Sequence, residues 1–208
     1  MKLQSILPFL YTLFATSGAV GQGTFLFDQQ SSTNEAPVPG VPGSGFQQLS
    51  PFGQSFTPGF SGIGFIRLNL SDSNPGNSLG ATLYVNLRAN SIAGAILGTT
   101  TPVLLPDNFG GPVNFFFPTD IPLISGTRYY LEPVVQSGDL WTSATSGDRV
   151  YPGGTLYISG SPVPGSSLWF REGLYVIPEP SGMALAALTA VALRFARRKH
   201  IRPARNAA

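Results

Sequence analysis

Phe65-Ile66-Arg67-Leu68-Asn69-Leu70, then Ser71-Asp72-Ser73-Asn74-Pro75-Gly76-Asn77-Ser78, then Thr82-Leu83-Tyr84-Val85-Asn86-Leu87-Arg88: this stretch decides the fold. Ile66, Leu68 and Leu70 alternate with Phe65, Arg67 and Asn69, a period of two that belongs to a strand. Leu83, Val85 and Leu87 alternate with Thr82, Tyr84, Asn86 and Arg88 in the same way. The eight residues between them are dense in Asn, Asp, Ser, Pro and Gly, the residues that make turns. Two amphipathic strands joined by a turn predict an antiparallel pair with one buried and one polar face.

The pattern continues outward in both directions. Thr24–Gln29 reads as a first strand, and Ser31–Gly45, punctuated by Pro37, Pro39, Gly40, Pro42 and Gly43, as a long loop or ordered arm. Phe46–Leu49 and Gln54–Thr57 are short strand candidates. Further candidates are Ile96–Thr100, Pro102–Leu105, Asn114–Pro118 (apolar enough for burial on both faces) and Arg128–Val135. Leu140–Thr142, Thr155–Ile158, Leu168–Phe170 and Leu174–Val176 complete the set. No window between residues 22 and 176 repeats apolar residues at helical spacing. Roughly a dozen short strands without a helix to cover a parallel sheet imply an all-β, antiparallel β-sandwich or jelly-roll-like domain over 22–176. The stretch Gln54–Val135 loosely resembles sandwich modules of exported bacterial proteins, a resemblance that implies no particular activity.

Both ends read as addresses. Lys2 precedes an apolar run, Ile6–Phe14, and then small residues, Ala15 to Gly21. That is the order of a signal peptide over 1–21, rather than a buried first element. Cleavage before Gln22 uses Ala19 and Gly21, and cleavage before Val20 uses Ser17 and Ala19. At the other end, Pro178-Glu179-Pro180 stiffens the chain, since each proline fixes its own φ and restrains its predecessor. Gly182–Leu193 is uncharged, and Arg194, Arg197, Arg198, Lys199, Arg202 and Arg205 follow. A membrane helix needs about 20 apolar residues. A helix over 182–196 approaches that length if Arg194 snorkels to the head groups. A docked terminal helix is the alternative. The basic cluster would stay cytoplasmic, placing the central domain outside.

Pro178-Glu179-Pro180, the apolar stretch and Arg194-Phe195-Ala196-Arg197-Arg198-Lys199 together resemble the PEP-CTERM sorting signal, here over 177–205. The resemblance covers about the last thirty residues. It implies a bacterium that makes extracellular polysaccharide, an exosortase-type membrane enzyme as processing partner, and transient or stable anchoring by the C-terminal helix. The chain runs on to Ala208, somewhat past the usual tail, which blurs the membrane boundary.

Charge separates the ends from the middle. The whole chain has 12 Lys+Arg against 10 Asp+Glu. Residues 22–181 keep only Arg67, Arg88, Arg128, Arg149 and Arg171 against all ten acids, a net of −5. A basic face for nucleic acid is therefore not expected in the domain. There is no cysteine, and the only histidine, His200, lies in the tail. Histidine-dependent nucleophilic catalysis and His- or Cys-ligated metal sites are thereby removed from the domain, and no cofactor is expected.

Aromatic residues are the first candidates for a ligand site, because sugar rings stack on them. Trp141 stands beside Asp139 and Thr142, Trp169 beside Arg171 and Glu172, and Tyr151 in a loop-like setting. The competing use of each is core packing. Asn69, Asp72, Asn74 and Asn77 form an oxygen-rich stretch, and Asp139 and Asp148 bracket another, but calcium prefers several carboxylates. Turn-stabilising Asn and Asp side chains explain such a stretch more simply. Asp107, Asp120, Glu132, Asp139, Asp148 and Glu172 are available for acid–base work, yet no spacing selects a pair. Arg88, Arg128 and Arg171 read as outward, solubilising charges. The expectation is an exported, surface-sorted, non-catalytic protein of the cell envelope or matrix, with exopolysaccharide as the candidate contact. The alternatives are a structural matrix component without a ligand and a carbohydrate-active hydrolase.

Overall fold

The alternating segments are strands in a computed structural model, which describes residues 23–36, 45–145 and 150–177. The signal peptide over 1–21 and the sorting residues Pro178, Glu179, Pro180, Arg194, Arg197, Arg198 and Lys199 lie outside the described residues. So does the apolar stretch 182–196. Among the described residues, no helix is long and apolar enough to cross a membrane.

Twelve strands are described: β1 (Thr24–Gln30), β2 (Gly53–Phe56), β3 (Gly62–Asp72), β4 (Ala81–Ala89), β5 (Ile96–Thr99) and β6 (Val103–Leu105) in the first half, then β7 (Gly110–Pro122), β8 (Tyr129–Gly138), β9 (Trp141–Ser143), β10 (Leu156–Ile158), β11 (Ser161–Val163) and β12 (Phe170–Val176). The described residues are all-β, with antiparallel pairing in two sheets. The first runs β1-β12-β3-β7, with β9 also on β3. The second runs β11-β10-β2-β8-β4-β5, with β6 also on β4. The compact unit Phe25–Tyr175 holds both.

The two halves of the deciding stretch part company: β3 is interior to the first sheet and β4 to the second. Their period-two faces nonetheless meet. Ile66, Leu68, Leu70, Val113, Phe115 and Phe170 from the first sheet join Phe56, Leu83, Val85, Leu87 and Leu131 from the second in one buried cluster. Full burial of side chains of this size stabilises by about 1.5–3 kcal/mol each. An irregularity between Ile63 and Phe65 changes which residues of β3 face inward. Ile63 and Ile66 both enter the core, and Phe65 turns to the opposite face. A bulge of this kind re-aims side chains without ending the strand.

Two polar side chains knit the layers. Gln54 is fully buried; its Oε1 accepts from Leu168 N (2.8 Å), and its Nε2 donates to Ser55 O (2.8 Å). Phe46–Leu49, expected as a strand, is a 3-10 helix, with Gln48 N donating to Gly45 O at 3.0 Å. Its Gln47 amide supplies the strand-like contacts instead, donating to Asp139 O (2.7 Å) and accepting from Trp141 N (3.2 Å). β11, at the outer edge of the second sheet, is a strand that the sequence pattern does not predict.

Candidate functional site

The outer face of the first sheet carries an aromatic and cationic layer where solvent-facing polar residues would be usual. In β12, Phe170 and Glu172 point inward, while Arg171, Gly173 and Tyr175 alternate with them. Gly173 pairs with Phe65 of β3. With no side chain at Gly173, Phe25 and Phe27 of the edge strand reach across to Phe65, edge-on, at centroid distances of 4.8 and 5.5 Å. A Cβ at Gly173 would collide with the carbonyl oxygen of Leu26. Phe65 is therefore fully buried although it faces away from the main core. Tyr175 lies 4.8 Å from Phe25 and 5.0 Å from Phe116, and all three are half-buried. Phe27 is 37 % exposed.

Two arginines interleave with these rings. The Arg67 guanidinium sits 4.7 Å from the Phe25 centroid and 5.3 Å from that of Phe27. Arg171 sits 5.0 Å from Phe27 and 5.3 Å from Trp169. The order across the face is Phe25, Arg67, Phe27, Arg171, Trp169. Each cation over a ring contributes about 0.5–2 kcal/mol, more as it is desolvated. One carboxylate oxygen, Glu35 Oε1, accepts from Arg67 Nη1 (2.5 Å) and Arg171 Nη1 (2.7 Å). Burial draws the Arg171 guanidinium below its usual pKa; Glu35 opposes that shift and the charge of Arg67 adds to it.

Residues 31–36 form a strap over one side of this face. Ser31 Oγ donates to Leu168 O (2.7 Å), and Asn69 Nδ2 donates to Ala36 O (2.9 Å). Trp169 Nε1 donates to Asn34 O (2.7 Å), and Arg171 Nε to Ser32 O (2.9 Å). The other arginine is fixed by Arg67 Nε donating to Asn114 Oδ1 (2.6 Å).

The three aromatic residues singled out from the sequence are all buried, which corrects their reading as open stacking platforms. Trp141 is fully enclosed in the common core beside Phe109. Tyr151 stands edge-on to Phe170 at 5.1 Å, and its hydroxyl donates to Gln29 Oε1 (2.9 Å) and accepts from Thr57 N (3.3 Å). Burial, chiefly, raises its pKa. Trp169 belongs to the outer face, but the strap and Arg171 cover it to 4 % exposure. The rings of this face that remain accessible are Phe25, Phe27, Phe116 and Tyr175, all of them in segments whose pattern predicts a strand. Arg171 is likewise 7 % exposed rather than a free solubilising charge, and Arg88 pairs with Glu132 at 2.7 Å; Arg128 does face solvent.

Asp72, Asp107 and Asp139 are committed to the turns around them. Asp72 accepts from Asn74 N (2.8 Å) and Asn108 N (3.0 Å), the former an Asx turn. Asp107 accepts from Gly76 N and Ser78 N, both at 2.9 Å. Asp139 accepts from Leu140 N (2.7 Å), Asn74 Nδ2 (3.0 Å) and Asn77 Nδ2. The Gly76 amide, first among several donors, holds Asp107 below the usual range, and the Asn77 amide does the same for Asp139. Among the described residues no group of three metal-ligating side chains occurs. Asn69 stands apart from this loop, under the strap. Asp148 lies outside the described residues.

Glu172 differs from all of these. It is fully buried, and neither carboxylate oxygen has a hydrogen-bond partner. Burial, with the nearby charge of Asp28 adding to it, pushes its pKa up to about 9. Asp28 is itself bound by Gly59 N (2.7 Å) and Phe60 N (2.8 Å). A carboxyl sealed from solvent beside Asp28 does not flank an open cleft, which is what two-carboxylate hydrolysis of a polysaccharide requires.

No known protein family matches the chain, and no match was found among curated proteins.

Proposed function

We propose that this is an exported, non-catalytic surface protein whose sandwich-like domain contacts extracellular polysaccharide through the outer face of its first sheet. On this reading residues 1–21 direct export. Residues 177–205 act as a PEP-CTERM-type signal for an exosortase-type enzyme, with the C-terminal helix holding the membrane before processing. The observation that supports polysaccharide contact is the alternation Phe25, Arg67, Phe27, Arg171, Trp169 on a sheet face. Aromatic rings offer flat apolar surface to the C–H faces of sugars, and neighbouring guanidinium and amide groups satisfy hydroxyls.

The test is binding of the full chain to the producing organism's own extracellular polysaccharide, with Phe27→Ala and Trp141→Phe compared. Saturable binding weakened at Phe27 and kept at Trp141 is expected; equal binding by both variants rejects this face. Intact mass of the protein from its host examines sorting separately, because a product retaining Met1 or all of Arg194–Ala208 contradicts processing at that end.

A second reading, a structural matrix component without a ligand, is favoured by apolar side chains at the second sheet's edge. Ile96, Leu97 and Leu104 are 51, 42 and 75 % exposed. It predicts concentration-dependent self-association in sedimentation, lost in Leu104→Ser.

A further inference from the structure

Deepening the polysaccharide reading and resting on it, we infer that Arg67 and Arg171 form a carboxylate-binding clamp that Glu35 occupies from within the chain, and that the ligand is a glycan bearing uronic-acid-type carboxylates. The Glu35 side chain is 43 % exposed, whereas those of Arg67 and Arg171 are 13 and 8 % exposed. The anion is thus the accessible member of the trio and the cations are the fixed members.

The clamp does not need Glu35 to keep its shape. Arg67 is held by Asn114 through Nε and by the faces of Phe25 and Phe27. Arg171 is held by the Ser32 carbonyl through Nε and by Phe27 and Trp169. Each gives only its Nη1 to Glu35, and among the described residues neither Nη2 makes a hydrogen bond. Two cations share one anion, so a charge of +1 is left uncompensated in the trio. A guanidinium has five N–H donors in a fixed fork that suits carboxylate oxygens. Phe27, the most exposed ring in the layer, lies between the two cations, where a sugar ring bearing the carboxylate would rest. The domain over 22–176 has five arginines against nine acids, a net of −4 that opposes a polyanion at long range. Recognition must then come from the local pair, and it weakens as salt rises.

Glu35→Gln removes the internal competitor while leaving an exposed, uncharged side chain of the same size. The full chain, in mild detergent, is titrated with polygalacturonate and with the same polymer fully methyl-esterified, which has the same backbone and no charge. The expected result is at least tenfold tighter binding to the acidic polymer, a further several-fold gain in Glu35→Gln, and loss of the acidic preference in Arg67→Lys. The lysine variant keeps charge and stem and loses the fork, and its melting temperature confirms folding. Equal affinity for both polymers, no gain in Glu35→Gln, or no binding to either polymer by folded protein overturns the clamp. Binding to the organism's own polysaccharide in the same series tells the outcomes apart. If that binding persists, only the carboxylate preference has failed; if it is absent too, the polysaccharide reading falls with it.

Discussion

Replacing Glu172 by glutamine should change how stability responds to pH. In the folded protein the carboxyl is sealed in the interior without a hydrogen-bond partner, and its pKa stands at about 9 rather than the ordinary 4.5. A proton bound in the folded state and released on unfolding makes stability fall as pH rises. The sign is that of a raised pKa: the full contribution is present below about 4.5 and is lost progressively up to about 9. At 1.36 kcal/mol per pKa unit, the loss is roughly 3 kcal/mol between pH 4.5 and 7, and about 6 kcal/mol across the whole window. A glutamine side chain has no proton to lose, so this component of the slope vanishes in Glu172→Gln. Urea denaturation of both proteins at pH 5, 7 and 8.5 measures it. The difference in unfolding free energy should widen by a few kcal/mol toward the alkaline side, with the variant the more stable. Parallel curves over that range would show that Glu172 is solvated, or hydrogen-bonded in its charged form, and the burial argument would be wrong.

Three further substitutions test the layers separately. Phe65→Ala should cost about 3–5 kcal/mol in denaturant unfolding, a core-sized penalty for a residue on the outer face of a sheet; a cost below about 1 kcal/mol would mean the aromatic layer is not packed. Gly173→Val should displace β1 from β12 because its Cβ meets the Leu26 carbonyl, giving fast amide exchange in residues 25–30 while the β4–β8 pair stays protected. Gln54→Leu strands the Leu168 amide and the Ser55 carbonyl and should cost about 1–3 kcal/mol for each group left unsatisfied, read as a lowered melting temperature.

Local alternation in the chain determines most of the fold. Ile66, Leu68 and Leu70, and Leu83, Val85 and Leu87, face the core as their period requires. The run Asn114–Pro118 was expected to be buried on both faces, and it divides, with Phe115 and Phe117 in the core and Phe116 in the outer aromatic layer. The layer itself was not legible, since it depends on β1 lying beside β12, a neighbour relation between segments some 140 residues apart. Once that neighbour is known, the apolar residues on the second face of Thr24–Gln29 and the glycine in Arg171-Glu172-Gly173 have a purpose. Trp141, Tyr151 and Trp169 were ambiguous for a simple reason. A large ring in a short strand or a loop carries the same local pattern whether it fills a core or faces a sugar, and only the covering strap, Ser31–Ala36, decides the matter for Trp169. Phe46–Leu49 is too short for its pattern to separate a strand from a turn: its apolar ends are three residues apart, as in a 3-10 turn, and Gln47 reaches out to serve a strand elsewhere.

The position of β12 has a mechanical meaning. It is an interior strand, flanked by β1 and β3, and it carries Arg171 near its start and Tyr175 near its end. Tension applied to a polymer gripped at Arg171 and resisted at the C-terminal end of β12 would travel along a single strand. The second sheet would lie off the load path. Two hydrogen-bonded ladders, one on each side, would resist sliding of that strand together, so they would have to fail at once, whereas an edge strand can be peeled one bond at a time. Resistance of this kind is set by an unfolding rate and not by equilibrium stability.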